Sequence, residues 1–205
     1  MLDTRIRVVI DPTLNAIAGR LIKTGITANR MSVAGFVLGL GCGFAVLHHD
    51  YGLALVYLLL SRLADGLDGA IARHQTPTAF GGYLDIVCDF IFYSLIPLCF
   101  ALSHPEHAAA ASFLIFSFVG TGCSFLAYAI LQAQYPEKQR PSSGQQKSFY
   151  YLGGLTEGTE TIALFVLFLL FPDSVSVLAW IFGSLCWMTT AFRIRAAWVD
   201  FGKDS

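Results

Sequence analysis

Charged residues are scarce in this chain. They make up 13% of its 205 residues, whereas about a quarter of a typical soluble domain is charged. Hydrophobic residues account for 55%, and the formal net charge at pH 7 is only −1. So few charges cannot cover the water-facing surface of an ordinary soluble enzyme, and the lack of a basic excess argues against a nucleic-acid partner. The composition instead predicts a membrane protein.

Paired cysteines are also missing. The chain has five cysteines, scattered through apolar stretches, and no two of them form a Cys-x-x-Cys pair. This pattern argues against a zinc site and a disulfide framework, and it is typical of small buried side chains. The first twelve residues, MLDTRIRVVIDP, contain no long apolar run and no small-residue cleavage motif, so we expect no signal peptide.

Six stretches are apolar and long enough to cross a bilayer, which takes about 17–25 residues. Three of them contain no charged residue: Met31–Leu47, Ala108–Tyr135 and Ser174–Phe192. Three others contain charged residues: Tyr51–Arg73, Phe80–Leu102 and Lys147–Phe171. We therefore predict an all-α polytopic membrane protein with six transmembrane helices.

The positions of the basic residues support this count. All 13 Lys and Arg residues fall within residues 5–30, 62–73, 138–147 and 193–203. With six spans, these segments lie on one side of the membrane or in the part of a span that enters that side. The connections on the other side, residues 48–50, 103–107 and 172–173, contain none. Basic connections face the cytoplasm. The pattern therefore predicts a multi-pass protein of the cell inner membrane with both termini in the cytoplasm.

A short amphipathic helix is predicted ahead of the first span. Between Pro12 and Lys23, apolar side chains recur at helical spacing while Asn15, Arg20 and Lys23 fall elsewhere. This pattern favours a helix lying in the cytoplasmic interface over a solvated leader. We interpret the 205 residues as one domain, with an interfacial segment over residues 1–28 and a six-helix bundle over residues 29–199.

Four aspartates lie within the second and third predicted spans. Asp65 and Asp68 share one helix face, and so do Asp85 and Asp89, because the members of each pair are three or four residues apart. At a rise of about 1.5 Å per residue, Asp65 and Asp89 both lie roughly 12–13 Å from the cytoplasmic ends of their spans. Because charges inside a membrane are unfavourable, such residues usually serve a function.

Four carboxylates at one depth repel one another, and a divalent metal removes that repulsion. Oxygen ligands without His or Cys favour Mg²⁺, or Mn²⁺ in its place, over Zn²⁺, and four carboxylates can hold two such ions by bridging. Arg62 and Arg73 are the nearby basic residues that could offset the acids instead. A structural acid–base network, a proton relay and a cation pathway are the alternatives.

The residues between the aspartates favour a phosphate ligand over a transported cation. From residue 65 to residue 89 the motif is D-x2-D-G-x2-A-R-x7-G-x3-D-x3-D. Gly69 and Ala72 leave space beside the acids, and Arg73 adds a fixed cation that suits a phosphate group. The same cation would repel a transported metal ion. We therefore interpret the cluster as a pyrophosphate site.

This motif resembles the signature of the CDP-alcohol phosphotransferases, and all eight fixed positions match. The resemblance extends along the chain, with an interfacial helix, six spans and the motif in the second and third. It implies a membrane transferase of phospholipid biosynthesis that moves a phosphatidyl group from a CDP-linked lipid, such as CDP-diacylglycerol, to an alcohol and releases CMP. It also implies a homodimer. A CDP-lipid hydrolase and an intramembrane divalent-cation transporter are the alternatives.

The resemblance further implies a role for each residue of the motif. Two Mg²⁺ ions would bind Asp65, Asp68, Asp85 and Asp89. Asp89 would also act as the general base. The CDP moiety would contact Gly69, Ala72, Arg73, Thr78 and Gly81.

The acceptor alcohol is expected between this site and the cytoplasmic ends of the fifth and sixth spans. Lys147, Arg193 and Arg195 suit a phosphorylated acceptor there, unless they only anchor the protein at lipid head groups. Glu157 suits a cationic amino alcohol and resembles the amino-alcohol branch of the family, unless it pairs with an arginine. These residues slightly favour an unphosphorylated acceptor.

Overall fold

The computed structural model describes residues 2–136 and 156–202, with side chains from residue 10 onward. These residues form helices joined by short turns and include no strand. In chain order the α-helices are α1 (Leu2–Lys23), α2 (Ala28–Leu47), α3 (Tyr51–His74), α4 (Ala79–Ser103), α5 (Ala108–Gln134), α6 (Gly158–Leu170) and α7 (Val175–Phe201). Short 3₁₀ helices at Pro105–His107 and Pro172–Ser174 lead into α5 and α7. The all-α prediction is therefore confirmed.

Four helices of the described chain are long and apolar enough to cross a membrane. They are α2, α4, and α5 and α7 with the 3₁₀ turns before them. α3 has sufficient length, at 24 residues, but it contains four charged side chains along its C-terminal half. α6 has 13 residues, and residues 147–155 of the predicted fifth span lie outside the described part. The six-span count therefore stays a prediction.

Polar side chains cap the start of three helices. Thr27, Asp50 and Thr78 each accept a hydrogen bond from the backbone N–H three residues later, at 3.4, 3.0 and 3.0 Å. Each bond satisfies a donor that the first helical turn leaves without a backbone partner. Before α2 the chain turns at Gly25, whose φ of +82° lies in the region that favours glycine. The N-terminal starts of α2, α3 and α4 are thereby set by local sequence.

Helix α2 packs against both α3 and α4 through a face of glycines. Gly35, Gly39 and Gly43 recur every fourth residue and so share one side of the helix. A Cβ atom at Gly39 would lie 2.7 Å from the ring of Phe92, and one at Gly35 would lie 3.1 Å from the Cβ of Ala64. Such small residues let helix backbones approach closely in a membrane protein. α2 is therefore the support on which the two motif helices rest.

Aromatic side chains fill the interior of the bundle, while other apolar side chains face outward. Phe92, Phe165 and Phe168 are fully buried in one core that joins α4 and α6 to their neighbours. Phe44 and Leu102, in contrast, are about two-thirds exposed, at 64% and 66%. In water such a surface would be unfavourable, but it suits contact with lipid chains. The distribution fits the membrane protein that the composition predicts.

Helix α1 is longer than predicted. It begins at Leu2 rather than near Pro12, which lies inside the helix. The sequence pointed to a later start because the apolar residues recur at helical spacing only from Leu14 onward, but α1 extends through Pro12 to Leu2. Leu14 and Ala18 are buried, and they pack against a cluster of α3 that includes Ile71. The position of α1 in the membrane interface stays a prediction.

Replacing Gly39 by alanine should weaken the packing of α2 against α4. The added Cβ meets the ring of Phe92, which is 1% exposed and has little room to move. Overpacking of this kind lowers the free energy of unfolding by about 1–3 kcal/mol. The measurement is the unfolding midpoint in detergent. Gly19→Ala is the matched control, since no atom lies within 4 Å of its added Cβ; an equal effect of both variants would contradict the packing argument.

Candidate active site

The four aspartates of the motif line one cavity. Asp65 and Asp68 come from α3, and Asp85 and Asp89 come from α4. The loop between these helices spans only residues 75–78, so the C-terminal end of α3 stays close to the N-terminal end of α4. The other residues lining the cavity come from α2, α3 and α4: Ser32, Gly35, Phe36, Arg62 and Cys88.

The contribution of α2 to this cavity was not predicted from the sequence. A Cβ atom at Gly35 would lie 3.1 Å from the Cβ of Ala64 and 3.3 Å from the backbone oxygen of Ser61. The missing side chain thus lets α3 approach α2, and this contact holds the adjacent Asp65 at the edge of the cavity. The recurrence of glycine at every fourth position of α2 was the signal that could have indicated this packing.

Asp65, Asp68 and Asp85 form a group that suits a metal ion. Each offers one carboxylate oxygen, and the three oxygens lie within 4.8 Å of one another. Asp68 is 7% exposed, and its Oδ2 is buried with no hydrogen-bond partner among the described residues. A buried acceptor without a donor is unfavourable unless a cation lies beside it. Because hard oxygen donors suit Mg²⁺ or Mn²⁺, these residues fit one such ion.

Asp89 lies in the same cavity but has different partners. Its Oδ1 lies 2.9 Å from Nη1 of Arg62, and its Oδ2 accepts a 3.4 Å hydrogen bond from the hydroxyl of Tyr93. The same Nη1 of Arg62 lies 3.6 Å from Oδ1 of Asp65. Arg62 therefore bridges an aspartate of α3 and an aspartate of α4. The roles of Asp89 as metal ligand and base stay predictions, and its ion pair with Arg62 could not be read from the spacing of the motif.

The predicted nucleotide residues of α3 lie near its C-terminal end. Arg73 is half-exposed there, and its Nη2 lies 3.2 Å from Oδ1 of Asp11 on α1. Ala72 is half-buried. At Gly69, the nearest atom to an added Cβ would be Nη1 of Arg73, at 3.7 Å, so the space expected beside the acids is present. The partner of Arg73 on α1 was not predicted, because Asp11 is 62 residues away in the chain.

Thr78 and Gly81 act together at the start of α4. The hydroxyl of Thr78 accepts the 3.0 Å hydrogen bond from the backbone N–H of Gly81. A Cβ atom at Gly81 would lie 3.0 Å from both this hydroxyl oxygen and the Oδ1 of Asn29. The glycine thus makes room for the cap and for the start of α2. Contact of either residue with a nucleotide stays a prediction.

The candidate acceptor residues are divided between two helices. Glu157 begins α6, where its backbone N–H donates a 3.1 Å hydrogen bond to the side chain of Glu160 in a capping box. Arg193 of α7 is buried, and its Nη1 donates a 2.9 Å hydrogen bond to the backbone oxygen of Thr121. The charge of Glu157 acts on Arg193. Arg193 is therefore a candidate for the arginine partner that the sequence left open for Glu157.

Of the other two candidate acceptor residues, one lies within the described chain. Arg195 is exposed near the end of α7. Lys147 lies outside the described residues. The acceptor roles of all four residues stay predictions.

Sequence comparison identifies relatives along nearly the whole chain. The sequence model of the CDP-alcohol phosphatidyltransferase family matches residues 25–195. The chain is 50% identical to the inner membrane protein YnjF of Escherichia coli (strain K12), over 97% of this chain and 96% of that protein. It is 32% identical to the archaetidylinositol phosphate synthase of Pyrococcus horikoshii over 42% of this chain and 46% of that protein.

The fold is similar to that of solved structures. The phosphatidylinositol phosphate synthase of Mycobacterium tuberculosis with CDP-DAG bound has a TM-score of 0.66 at 19% identity, covering 94% of this chain and 96% of that one. The same synthase in complex with manganese and citrate also has a TM-score of 0.66 at 19% identity, covering 94% and 92%. Because the family match covers most of the sequence, the chain belongs to the CDP-alcohol phosphatidyltransferase family and is an enzyme that transfers a phosphate-containing group.

Proposed function

We propose that this enzyme transfers a phosphatidyl group from CDP-diacylglycerol to the hydroxyl group of an alcohol and releases CMP. The observation that carries the proposal is the buried Oδ2 of Asp68, which has no hydrogen-bond donor among the described residues and lies in a cavity with three further carboxylates. A cavity of this kind suits a cation and the pyrophosphate that the cation binds. The synthase of similar fold that binds CDP-DAG supports the choice of donor.

The proposed metal ligands are Asp65, Asp68 and Asp85, and the proposed metal is Mg²⁺ or Mn²⁺. The proximity of their oxygens supports this ligand set, and the manganese complex of the similar fold supports the choice of metal. When bound, a divalent cation neutralises the pyrophosphate oxygens and stabilises the negative charge of the leaving CMP. The sequence predicted two ions bound by all four aspartates. Because Asp89 pairs with Arg62 in the cavity, the number of ions stays a prediction.

Asp89 and Arg73 supply the remaining groups that the reaction needs. In the proposed step the acceptor oxygen attacks the phosphorus of the phosphatidyl group, and the bond from that phosphorus to the oxygen of CMP breaks. The proton of the acceptor hydroxyl passes to the carboxylate of Asp89. Arg73, at the cytoplasmic end of α3, binds a phosphate of the nucleotide. CMP then leaves to the cytoplasm and the lipid product stays in the bilayer.

The proposed setting is the cell inner membrane. We infer that α3 and the segment containing α6 also cross the bilayer, so that six spans leave both termini in the cytoplasm. The absence of Lys and Arg from residues 48–50, 103–107 and 172–173 supports this orientation. The 50% identical inner membrane protein supports the location. A homodimer, implied by the family resemblance, stays a prediction.

For the acceptor we propose a phosphorylated polyol, such as inositol phosphate or glycerol phosphate. A carboxylate whose charge acts on an arginine is less suited to bind an ammonium group, and Glu157 has such a neighbour in Arg193. This removes the main support for an amino alcohol, whereas Arg195 remains exposed at the same end of α7. One relative named as a synthase of an inositol phosphate lipid supports this acceptor, whereas another named as a phosphatidylcholine synthase supports an amino alcohol.

Each of Asp65→Asn, Asp68→Asn, Asp85→Asn and Asp89→Asn should abolish the release of CMP. The first three substitutions remove a carboxylate from the ligand group, and the fourth removes the base; losses of about 100-fold or more are expected for such groups. The measurement is CMP formed from CDP-diacylglycerol by purified protein with Mg²⁺ and added alcohols. Asp173→Asn, in the exposed turn before α7, is the control and should stay active. Full activity in two of the four variants would contradict the assignment.

The same assay separates the proposed reaction from its two alternatives. A transferase forms CMP only when an acceptor alcohol is added, and the labelled alcohol then appears in the lipid fraction. A CDP-lipid hydrolase forms CMP with water alone. A cation transporter moves metal into sealed vesicles regardless of CDP-lipid. CMP formation without an alcohol would therefore replace the proposed reaction by hydrolysis.

A screen of labelled alcohols should show transfer to inositol phosphate or glycerol phosphate and little transfer to serine, ethanolamine or choline. This follows from the offset charge of Glu157 beside Arg193. Glu157→Gln should leave the acceptor preference unchanged, while Arg195→Gln should raise the KM for the phosphorylated acceptor about tenfold, as expected for the loss of one phosphate contact. Strong transfer to an amino alcohol that disappears in Glu157→Gln would instead support the other branch.

A further inference from the structure

A second cluster of metal-ligand side chains lies at the other end of the bundle from the four aspartates. His104 follows the last residue of α4, about 22 Å along the helix axis from Asp89. Glu106 and His107 come next, in the 3₁₀ turn before α5. His104, Glu106 and His107 each offer one ligand atom, and these atoms lie within 4.8 Å of one another. The proposed transfer reaction uses none of them.

The ring of His104 has partners at both of its nitrogens. Its Nδ1 lies 3.1 Å from Oε1 of Glu106. On the other side of the ring, Nε2 contacts the hydroxyl of Tyr51 and lies 3.1 Å from Nδ1 of His49. A histidine that binds a metal through one nitrogen typically donates a hydrogen bond through the other, which fixes the orientation of the ring. Tyr51 and His49 thus hold His104 with its Nδ1 beside the carboxylate.

The ring of His107 is also held through one nitrogen. The residue is only 6% exposed, and its Nδ1 lies 2.8 Å from the hydroxyl of Ser176, at the start of α7. This bond leaves Nε2 as the nitrogen that can bind a ligand. The centroids of the His104 and His107 rings are 5.4 Å apart. Two neighbouring imidazoles, each supported by a hydrogen bond from its far side, match the way in which proteins hold metal-binding histidines.

The spacing of the ligand atoms suits a tetrahedral zinc ion. With metal–ligand distances of about 2.0–2.1 Å, two ligands of such an ion lie about 3.3 Å apart. The 3.1 Å between Nδ1 of His104 and Oε1 of Glu106 is close to this separation. A zinc ion would replace the proton that these two atoms share. The side chain of Glu106 is 64% exposed and can adjust to the ion, and a water molecule can complete the four ligands.

The imidazole ligands distinguish this cluster from the cavity of the aspartates. Imidazole suits Zn²⁺, whereas Mg²⁺ prefers ligands that are all oxygen. The connections at this end of the bundle, residues 48–50, 103–107 and 172–173, contain no Lys or Arg. Therefore no basic side chain of these segments opposes the entry of a cation, and the carboxylate of Glu106 attracts one.

We propose that His104, Glu106 and His107 bind one Zn²⁺ ion, separate from the cation of the aspartate cavity. The ion joins the end of α4 to the turn before α5. Through the hydrogen bonds of Tyr51 and Ser176, it also fixes this turn against α3 and α7. Its role is to fasten this end of the bundle and not to take part in the transfer reaction.

The test is the zinc content of the full-length chain in lipid nanodiscs, prepared without a polyhistidine tag. The protein is loaded with Zn²⁺, passed through a desalting column in buffer with excess Mg²⁺, and measured by elemental mass spectrometry. Wild-type protein and Asp68→Asn should each retain one zinc ion per chain. Loss of the zinc from the wild type on the column would overturn the proposal. Loss from Asp68→Asn alone would place the ion in the aspartate cavity and would also overturn it.

Substitutions within the cluster locate the ion. His104→Gln and His107→Gln each remove a ligand and should lose the zinc on the column. His48→Gln is the matched control, because this histidine lies in the turn that also contains His49 but packs its ring against Phe44, at 4.3 Å between centroids. It should retain one ion. Retention in both ligand variants, or equal loss in the control, would contradict the assignment.

A further variant separates loss of a ligand from misfolding. Glu106→Gln alters an exposed side chain and keeps its size, so its packing should be unchanged. Zinc should raise the unfolding midpoint of the wild type, because the ion binds the folded chain. It should leave the midpoint of Glu106→Gln unchanged. An equal rise in both proteins would overturn the role of Glu106 as a ligand and with it the proposed site.

The zinc site and the transfer reaction fail independently. One retained zinc ion without CMP formation on any alcohol would overturn the proposed function and leave the zinc site intact. Transfer by a chain that retains no zinc would overturn only this inference.

Discussion

The repulsion among four carboxylates in one cavity is the constraint on which the rest of the site depends. Asp65, Asp68, Asp85 and Asp89 line one cavity between apolar helices, where charge is poorly screened. Such a group is stable only if cations enter it. In the described chain one cation, Arg62, is already present, and the ligand group has room for a divalent ion beside it. The chemistry follows from the same need, since cations held there also attract a pyrophosphate.

Helix α2 allows the helices that bear the four carboxylates to pack close together. Its glycine face lets α3 and α4 approach without side chains in between, and Phe92 fills the space against Gly39. The same phenylalanine lies under the guanidinium of Arg62. Phe92 therefore contributes both to the packing of α2 against α4 and to the position of Arg62. A shift of its ring would also move the arginine that pairs with Asp89. The apolar core and the polar cavity are parts of one arrangement rather than separate features.

The sequence predicted the parts of the site that are local in the chain. The pairing of aspartates on helix faces follows from spacings of three and four residues. The caps Thr27 and Thr78 were not among the predictions, although threonine is a common N-cap residue. The contacts between distant segments were not accessible in this way. The pair of Arg62 with Asp89 joins residues 27 apart, and that of Arg73 with Asp11 joins residues 62 apart. Such pairs depend on how helices rotate against each other, which spacing alone does not determine.

The surroundings of the cavity suit the proposed reaction on a lipid substrate inside a membrane. Phe80 and Tyr83 on the first turns of α4 are about 60% exposed, at 61% and 63%, just before Asp85 in the sequence. Apolar side chains of this kind can contact lipid chains while the neighbouring carboxylates face the cavity. A donor with acyl chains could therefore keep them in the bilayer and extend only its pyrophosphate toward the cations. If the connected ends of α3 and α4 face the cytoplasm as proposed, the position of the acids near those ends leaves a short path for a water-soluble acceptor and for CMP.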